Sequence, residues 1–504
     1  MNVCLLNDSF PPVIDGVANT VMNYARILSE EDLAGVTVAT PEYPGADYSG
    51  YPYRVVPYSS FSIGNLVSGY RAGNPLDVPA IEQLVAFSPD IIHSHCPVVS
   101  TMMARSLKMR TKAPLIFTYH TKFDVDIARA VKNRFLQKEA AKALVDNIEA
   151  CDEVWTVSRG AGENLKSLGY EGEYRVVLNG VDFPRGKAEV GRIKETVSGY
   201  DLPEGVPVYL FVGRIINYKG LPIIMDALKR VRDGGQDFRM VFIGGGPDLE
   251  DLRQKADEYA LSDKVIFTGP VHDREALRAW NTRADLFLFP STYDTNGIVV
   301  REAAACGLAS VLVRDSCASE GITDGRNGFF IDENDESLAE LLLELGSDID
   351  RMRDTGDHAM NEIYISWEES VRHAYDLYGE VMENNERGVY QSGLARRFEE
   401  IKEGTRESAA RREERWNDMI DNLEEMHEER RNEVMESLEQ IRDGRWSEIL
   451  AGMEHIHEMH YEGMLENIEQ FRSDIRRAGE EVEKFGRDAW KRAKILLYGE
   501  DGDE

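Results

Sequence analysis

Two acidic side chains follow one apolar run in an arrangement that suits a polar ligand. Asp294 and Glu302 stand eight residues apart in FPSTYDTNGIVVREAAACG, with Gly297 between them. The run before them, ADLFLFPS, predicts a buried strand, and GIVVREAAACG predicts a helix. A carboxylate at the carboxyl edge of a sheet can accept hydrogen bonds from sugar hydroxyls. We therefore predict that Glu302 contacts a ribose and that Asp294 contacts a hexose hydroxyl.

The predicted helix begins between Asp294 and Glu302, and its first backbone N–H groups are hydrogen-bond donors with a partial positive charge. We expect the N–H groups of Asn296, Gly297 and Ile298 to point at the ligand and to take phosphate charge. The structural alternative is that Asp294 only caps the helix and that Glu302 lies on the surface. For Glu302 this alternative is poor, because Ala-Ala-Ala-Cys-Gly follows it, a tightly packed helix face.

Two cations precede this segment in FVGRIINYKG. Arg214 and Lys219 stand five residues apart after a predicted strand. Arg offers a planar fork and Lys a point charge, so both can converge on one diphosphate. The alternative is a pair of solvated surface cations, and the glycines on both sides favour phosphate binding.

Glycines follow two further predicted strands. VFIGGGPDLEDL places Gly245 in a cluster that allows close backbone approach at a helix start. A tight turn between strand and helix would produce the same pattern. FTGPVHDREAL places Gly269, Pro270 and Val271 after the next strand. The backbone of this loop can clasp a flat base.

The elements that must position these residues alternate along the chain. Short apolar runs such as MNVCLLND and APLIFTYHT alternate with helical patterns, which predicts parallel sheets with helices on both faces. The pattern stops in a polar stretch at 182–205, predicted to be a linker, and then restarts. We predict an α/β protein with two doubly wound, Rossmann-like domains facing a cleft: residues 1–185, completed by a returning helix at about 366–390, and residues 186–365.

From about Leu394 the composition changes to Glu and Arg with apolar residues three or four apart. This periodicity predicts an acidic helical or coiled-coil extension over 391–504. Residues 395–504 hold 19 Lys and Arg against 31 Asp and Glu. We expect self-association or packing through these helices, and only GRDAWKRAKILLYG has the mixture of a surface-binding helix.

Composition excludes several classes of function. The net charge of −32 argues against nucleic-acid binding, which needs a basic footprint. No apolar run is long enough to span a bilayer, and the N-terminus lacks the pattern of a signal peptide. The five scattered cysteines suit a reducing cytoplasm. His93 and His95 in HSHC lack further spaced ligands, so no metal site is predicted.

Taken together, these motifs resemble a known family. FVGRIINYKG, GGGPDLEDL and PSTYDTNGIVVREAAACG look like the carboxyl-terminal domain of family-4 retaining glycosyltransferases of the GT-B fold. SFPPVIDGVANTV, DIIHSHCP, FTYHT and LNGVD match the amino-terminal domain of that family in order. The resemblance covers roughly residues 1–390. The usual Glu-x7-Glu of the family appears here as Asp294-x7-Glu302, which keeps the charge and loses one methylene.

The resemblance implies a role for each site residue. Arg214 and Lys219 would bind the donor diphosphate, Glu302 the ribose, and Asp294 with the amides of Asn296 and Gly297 the donor sugar. Gly16 would let the loop after the first strand approach the phosphate and sugar. His120 would face the sugar as a positioning group, since the leaving diphosphate itself takes the acceptor proton. No cofactor or metal is implied beyond the nucleotide-sugar co-substrate.

The acceptor is the least determined part of the prediction. The wording of YDTNGIVVREAAACG and EGITDGRNGFF resembles the bacterial branch with diacylglycerol glucosyltransferases, which implies UDP-glucose as donor and a membrane lipid as acceptor. The basic segment 104–112, with the cations at 129, 132, 134, 138 and 142, is a candidate patch facing the inner membrane surface, or a solvated helix. Apolar residues in 58–70 are a candidate lining for a lipid groove. A saccharide acceptor and a non-catalytic scaffold with a helical tail are the alternatives.

Overall fold

The computed structural model describes residues 1–62, 70–124, 127, 133–295 and 297–390, and the predicted extension over 391–504 lies outside them. Its first sheet has seven strands, all parallel, in the spatial order β3-β2-β1-β6-β7-β8-β9. A small antiparallel pair, β4 and β5, stands beside it. In chain order these strands are β1 (Asn2–Leu6), β2 (Gly35–Pro41), β3 (Arg54–Tyr58), β4 (Ser60–Ser62), β5 (Arg71–Gly73), β6 (Ile91–Ser94), β7 (Leu115–Tyr119), β8 (Glu153–Thr156) and β9 (Arg175–Val176).

Helices connect these strands, as the alternation of the sequence predicts. The strands β1, β6 and β7 are almost wholly buried, which explains their continuous apolar runs. From β1 the chain continues to β2 and β3 on one side of the sheet and then crosses to β6 on the other side. The strand order therefore reverses beside β1. The connecting helices are α1 (Gly16–Glu30), α2 (Val78–Ala86), α3 (Val99–Thr111), α4 (Arg134–Glu149) and α5 (Arg159–Ser167).

A second parallel sheet of six strands repeats this plan in the order β12-β11-β10-β13-β14-β15. Its strands are β10 (Val208–Val212), β11 (Arg239–Ile243), β12 (Val265–Gly269), β13 (Leu286–Phe289), β14 (Ser310–Val313) and β15 (Phe329–Ile331). Its helices are α6 (Val190–Val197), α7 (Leu221–Asp233), α8 (Leu249–Glu258), α9 (Arg274–Arg283), α10 (Ile298–Ala305), α11 (Asp335–Leu345) and α12 (Ile349–Glu362). The reversal here lies beside β10, and ligands of such sheets bind at the carboxyl ends of the strands flanking the reversal.

The last described helix, α13 (Trp367–Glu386), returns to the first sheet. Trp367, Val371 and Tyr378 are buried in one cluster with residues of β1 and α1. A capping box at Ser366 and Glu369 fixes the start of this helix. The returning helix and the two doubly wound sheets confirm the predicted GT-B architecture. The domain limits at 185 and 365 stay predictions.

Three observations bear on what the sequence predicts about the linker, the cysteines and membrane spans. The polar stretch at 182–205 contains the helix α6, which packs against α9, so it is not a plain linker. All five cysteines lie among the described residues, and none of them forms a disulfide bond. Among the described residues, no helix is long and apolar enough to cross a membrane.

Candidate active site

The loop after β10 brings both predicted phosphate-binding cations to the edge of the second sheet. Arg214 is exposed, and Lys219 ends a 3-10 turn, Asn217–Lys219. Gly220 follows with a φ of 79°, where a Cβ would lie 2.3 Å from the carbonyl oxygen of Pro290. Only glycine tolerates this contact. Gly220 therefore locks the loop after β10 against the loop after β13.

Asp294 on the second of these loops is held by Lys219. Lys219 Nζ lies 2.9 Å from Asp294 Oδ1 and 3.3 Å from Oδ2, and the Ser291 hydroxyl donates to Oδ2 at 2.7 Å. Lys219 Nζ also lies 5.5 Å from the centroid of the Phe289 ring. The helix α10 has no side-chain cap, so the capping alternative for Asp294 is wrong. The cation and carboxylate that the sequence assigns to phosphate and sugar form one pair.

The start of α10 has the geometry that the sequence predicts. Gly297 is its N-cap, in the left-handed region at φ 58°, with Ala318 Cβ only 3.0 Å from where its own Cβ would stand. Ile298 is the first helical residue. Because the first amides of a helix lack intrahelical acceptors, they are available to an anion. Asn296 lies outside the described residues.

Glu302 is buried on α10, which excludes the surface interpretation. Its side chain is 10% exposed, and its Oε1 accepts a hydrogen bond from Arg274 Nη2 at 2.7 Å. Burial raises the pKa of the Glu302 carboxyl, and Arg274 opposes that rise. Arg274 also lies 3.6 Å from Asp182 Oδ2. The predicted ribose ligand is thus one end of a three-residue charged group.

The glycine cluster after β11 serves packing between loops as well as ligand access. A Cβ on Gly244 would stand 1.9 Å from the carbonyl oxygen of Gly213, and one on Gly246 would stand 2.1 Å from that of Ile215. Gly245 lies beside the next loop, since its Cβ would be 3.9 Å from Pro270. Val271, in that loop, is half-buried against the core. The loops after β10, β11 and β12 therefore form one layer at the carboxyl edge.

In the first domain, Gly16 has open space around it. It begins α1, and no heavy atom lies within 4 Å of a Cβ built there. Asp15 is the N-cap, accepting from the amides of Val17 at 2.9 Å and Ala18 at 2.7 Å. The hydroxyl of Tyr70 donates to Asp15 Oδ2 at 2.8 Å. No packing within the described chain requires the glycine, and its predicted role in ligand access stays a prediction.

His120 ends a stack of three buried histidines. Its Nε2 lies 3.0 Å from His95 Nδ1, and the rings of His95 and His93 are 4.1 Å apart. His93 is held by Tyr378 and Thr118, both at 2.7 Å. Burial lowers the pKa of His120 to about 3 and lowers those of His93 and His95 well below their usual range. His120 is therefore neutral at physiological pH and a weak proton acceptor.

The loop that carries Asp294 is also tied to the first domain. Lys122 Nζ donates to the carbonyl oxygen of Thr292 at 2.9 Å. The Thr295 hydroxyl donates to the carbonyl oxygen of His120 at 2.6 Å, and the Ser158 hydroxyl donates to the carbonyl oxygen of Thr295. Thus His120 and Asp294, from different domains, are joined through one short loop.

Sequence reasoning missed the partners of the predicted residues. Arg274 contacts Glu302, Ser291 contacts Asp294, and Asp182 lies beside Arg274. Each of the three stands among polar residues, where its type alone gives no signal. The proximity of Arg274 to the site was the available signal, since it opens a helix after the loop assigned to the base. In the part of the chain that the structure describes, no group of His, Cys, Asp and Glu has the arrangement of a metal site.

Two family models match the two halves of this architecture. Residues 14–185 match the model described as Glycosyltransferase Family 4, and residues 193–361 match Glycosyl transferases group 1. With the two doubly wound sheets, these matches confirm the resemblance seen in the motifs. The chain belongs to the family-4 glycosyltransferases of the GT-B fold and is a glycosyltransferase.

Two relatives and one solved structure illustrate what the chain is similar to. The chain is 24% identical to alpha-monoglucosyldiacylglycerol synthase of Streptococcus pneumoniae over 79% of this chain and 89% of the relative. It is 29% identical to sulfoquinovosyl transferase SQD2 of Arabidopsis thaliana over 64% of this chain and 62% of that protein. The solved structure of Anabaena Alr3699/HepE in complex with UDP-glucose superposes with a TM-score of 0.57 at 17% identity, covering 76% of this chain and 100% of that one.

Proposed function

We propose that this protein is a retaining glycosyltransferase that moves glucose from UDP-glucose to a hydroxyl of a diacylglycerol-type membrane lipid. One observation carries the proposal. Lys219 and Asp294, both assigned to the donor, pair at the carboxyl edge of the second sheet, and the loop after β13 that carries Asp294 is bonded to the backbone of His120 in the first domain. A donor bound there lies between both domains, where an acceptor held by the first domain can reach it.

The two cations stabilise the leaving group. As the bond from the sugar to the diphosphate breaks, negative charge grows on the phosphate oxygens. Arg214, exposed at the end of β10, and Lys219, held in place by Asp294, supply fixed positive charge, and the amides of Gly297 and Ile298 add N–H donors. These groups do what a metal ion would otherwise do, so we expect turnover without one and without a cofactor.

The transfer step needs no strong protein base. The bond between the anomeric carbon and the diphosphate oxygen breaks, and the acceptor oxygen bonds to that carbon on the same face. The proton of the acceptor hydroxyl passes to an oxygen of the departing diphosphate. His120, neutral and a weak base, orients the sugar rather than accepting this proton.

Recognition of the donor is divided among four loops and the helix α10. Glu302 accepts hydrogen bonds from the ribose hydroxyls, and the backbone around Gly245 and Val271 takes the base. Asp294 contacts a hydroxyl of the hexose while remaining paired with Lys219. Gly16 leaves room for the sugar and phosphate beneath α1. Since two domains supply these groups, their closure also excludes water from the donor.

The lipid acceptor is supported by one relative and by the surface of the first domain. The relative from Streptococcus pneumoniae is named as a synthase of monoglucosyldiacylglycerol, a glycolipid. Along α3, Val98, Met102, Arg105, Met109 and Lys112 recur at intervals of four and three residues, and Val98, Met102 and Met109 are about half exposed or more. This spacing places them on one helix face. Lys108 does not join it, because it pairs with Asp152.

This face fits peripheral contact with the cytoplasmic surface of a membrane. Apolar side chains enter the headgroup region while neighbouring cations attract anionic lipid. Phe61, within the stretch predicted to line a lipid groove, is also exposed. Residues 63–69, 129 and 132 lie outside the described part of the chain.

The test is a donor and acceptor screen. Purified protein in EDTA is incubated with UDP-, GDP- or ADP-glucose and with vesicles containing diacylglycerol, or with soluble oligosaccharides. Of the three donors, we expect only UDP-glucose to yield a glucosylated lipid. We expect the protein to bind anionic vesicles and not neutral ones. Product on saccharides only would establish the class and reject the lipid acceptor. No turnover with any donor would leave the scaffold hypothesis.

A further inference from the structure

Arg274 stands beside the proposed ribose ligand without a role in the transfer described above. Its guanidinium donates to Glu302 Oε1 at 2.7 Å, lies 3.6 Å from Asp182 Oδ2, and covers the Phe183 ring at 4.3 Å from the centroid. These three contacts fix a planar cation on three sides.

We propose that Arg274 is a positioning residue for the donor: it orients Glu302 so that the second carboxylate oxygen accepts from the ribose hydroxyls, and Asp182 holds Arg274 in place. The inference deepens the proposed function and rests on it. Oε1 is occupied by Arg274, whereas no partner of Oε2 is recorded within the described chain. A carboxylate with one fixed oxygen presents the other in one direction, as orienting partners do for catalytic side chains.

The charge of Arg274 serves the same end. Glu302 is buried, and a protonated carboxyl would lose an acceptor site for the ribose. Arg274 from α9 and Asp182 from the segment before α6 are the charged groups that face it. On its own helix, Cys306 stays a neutral thiol because burial raises its pKa to about 12. Arg274 therefore favours the ionised form of Glu302, and burial favours the protonated form.

The experiment compares UDP with 2′-deoxy-UDP by titration calorimetry on the full chain. In the unchanged protein, removal of the 2′ hydroxyl should weaken binding about tenfold, the usual effect of losing a hydrogen bond to a charged acceptor. Arg274→Ala should bind UDP about tenfold more weakly, discriminate less between the two nucleotides, and lose UDP affinity further as pH falls from 8 to 6. Arg274→Lys should recover part of each property.

Arg253 provides the matched control. Like Arg274, it is 45% exposed, covers the Phe267 ring at 4.8 Å and pairs with Glu250, but it touches none of the proposed donor ligands. Arg253→Ala should retain both the affinity for UDP and its discrimination. If Arg274→Ala retained the full discrimination and the same pH profile, the positioning role would be overturned while the proposed function stood. Failure of the unchanged protein to bind UDP would overturn both.

Discussion

At the scale of single residues, the pair of Lys219 and Asp294 is the feature on which the proposed donor chemistry depends. Lys219→Ala removes a fixed cation from the leaving diphosphate and leaves Asp294 half-buried without its partner. We expect kcat/KM for the donor to fall at least about 100-fold, as when one preorganised donor is lost from a charge-stabilising site. The measurement is the initial rate of sugar transfer.

Lys229→Ala is the control for that substitution. Lys229 pairs with Asp233 one turn away on the exposed face of α7. Exposed pairs of this kind contribute less than about 1 kcal/mol to stability. The Lys229→Ala enzyme should therefore stay folded, and its kcat/KM should equal that of the unchanged enzyme. A Lys219→Ala enzyme within threefold of the unchanged rate would contradict the assignment.

Two glycines distinguish ligand access from packing. Gly16→Ala adds a methyl group where the described chain has no atom within 4 Å, so the fold should keep its thermal midpoint while donor affinity falls. Gly246→Ala drives a methyl group onto the carbonyl of Ile215 and should destabilise the protein by about 1–3 kcal/mol. Thermal unfolding and donor titration measure both. Unchanged donor affinity in the Gly16→Ala protein would remove Gly16 from the site.

The stacked histidines predict how stability changes with pH. Their pKa values are lowered by burial, to about 3 for His120, against an ordinary value of 6.5. The unfolded chain therefore binds more protons below pH 6.5, and stability must fall as pH drops from there towards 3. Each histidine contributes up to about 1.4 kcal/mol per pH unit in this range.

Denaturant unfolding at pH 7 and pH 5 measures this effect. We expect His93→Gln, which can still bond to Tyr378 and Thr118, to lose less stability between the two pH values than the unchanged protein. An equal loss in both proteins would show that His93 does not titrate on unfolding. Between pH 5 and 7, the rate of sugar transfer should show no inflection near pH 6.5 that arises from titration of His120.

At the scale of elements, the start of α5 carries a contact between the domains. Glu320, after β14, accepts from the amide of Arg159 at 2.7 Å and from that of Gly160, so a second-domain carboxylate caps a first-domain helix. Glu320→Ala should weaken domain closure by roughly the value of a helix cap, about 1 kcal/mol, and raise the donor KM about fivefold. Steady-state kinetics measure this change.

Asn334 gives the control because it caps α11 inside one domain, accepting from the Ser337 amide at 2.8 Å. Asn334→Ala should cost similar stability and leave the donor KM unchanged. If both variants raised the KM equally, the effect would reflect stability alone. If neither did, the cap would play no part in closure.

The same scale shows what sequence could predict. Strands such as β1, β7 and β10 are buried on both faces, so their apolar runs identified them directly. The helix α6 was missed because it is short and has no fully buried residue, although Val190, Ile193 and Val197 recur at helical spacing within the polar stretch. The pairs Lys219–Asp294 and Arg274–Glu302 join residues 75 and 28 positions apart. Which charges meet depends on the sheet order, and local pattern does not encode it.

At the scale of the whole molecule, the helix α13 returns from the second domain and packs on the first. A Cβ on Gly180 would stand 2.3 Å from the amide nitrogen of Trp367, so the outgoing and returning chains cross in close contact. The two doubly wound domains were predictable because their alternation repeats. The ties between domains at Thr295 and Glu320 were not, because each is only two hydrogen bonds between residues far apart in the sequence.

The central claim is that these two domains transfer glucose from UDP-glucose to a lipid with retention. The most direct measurement is proton NMR of the first product formed from UDP-glucose and diacylglycerol-containing vesicles in EDTA. We expect a glucosyl lipid with the α configuration of the donor and an equal amount of UDP. A β-glucosyl lipid, or UDP release that never yields glycosylated lipid, would contradict it.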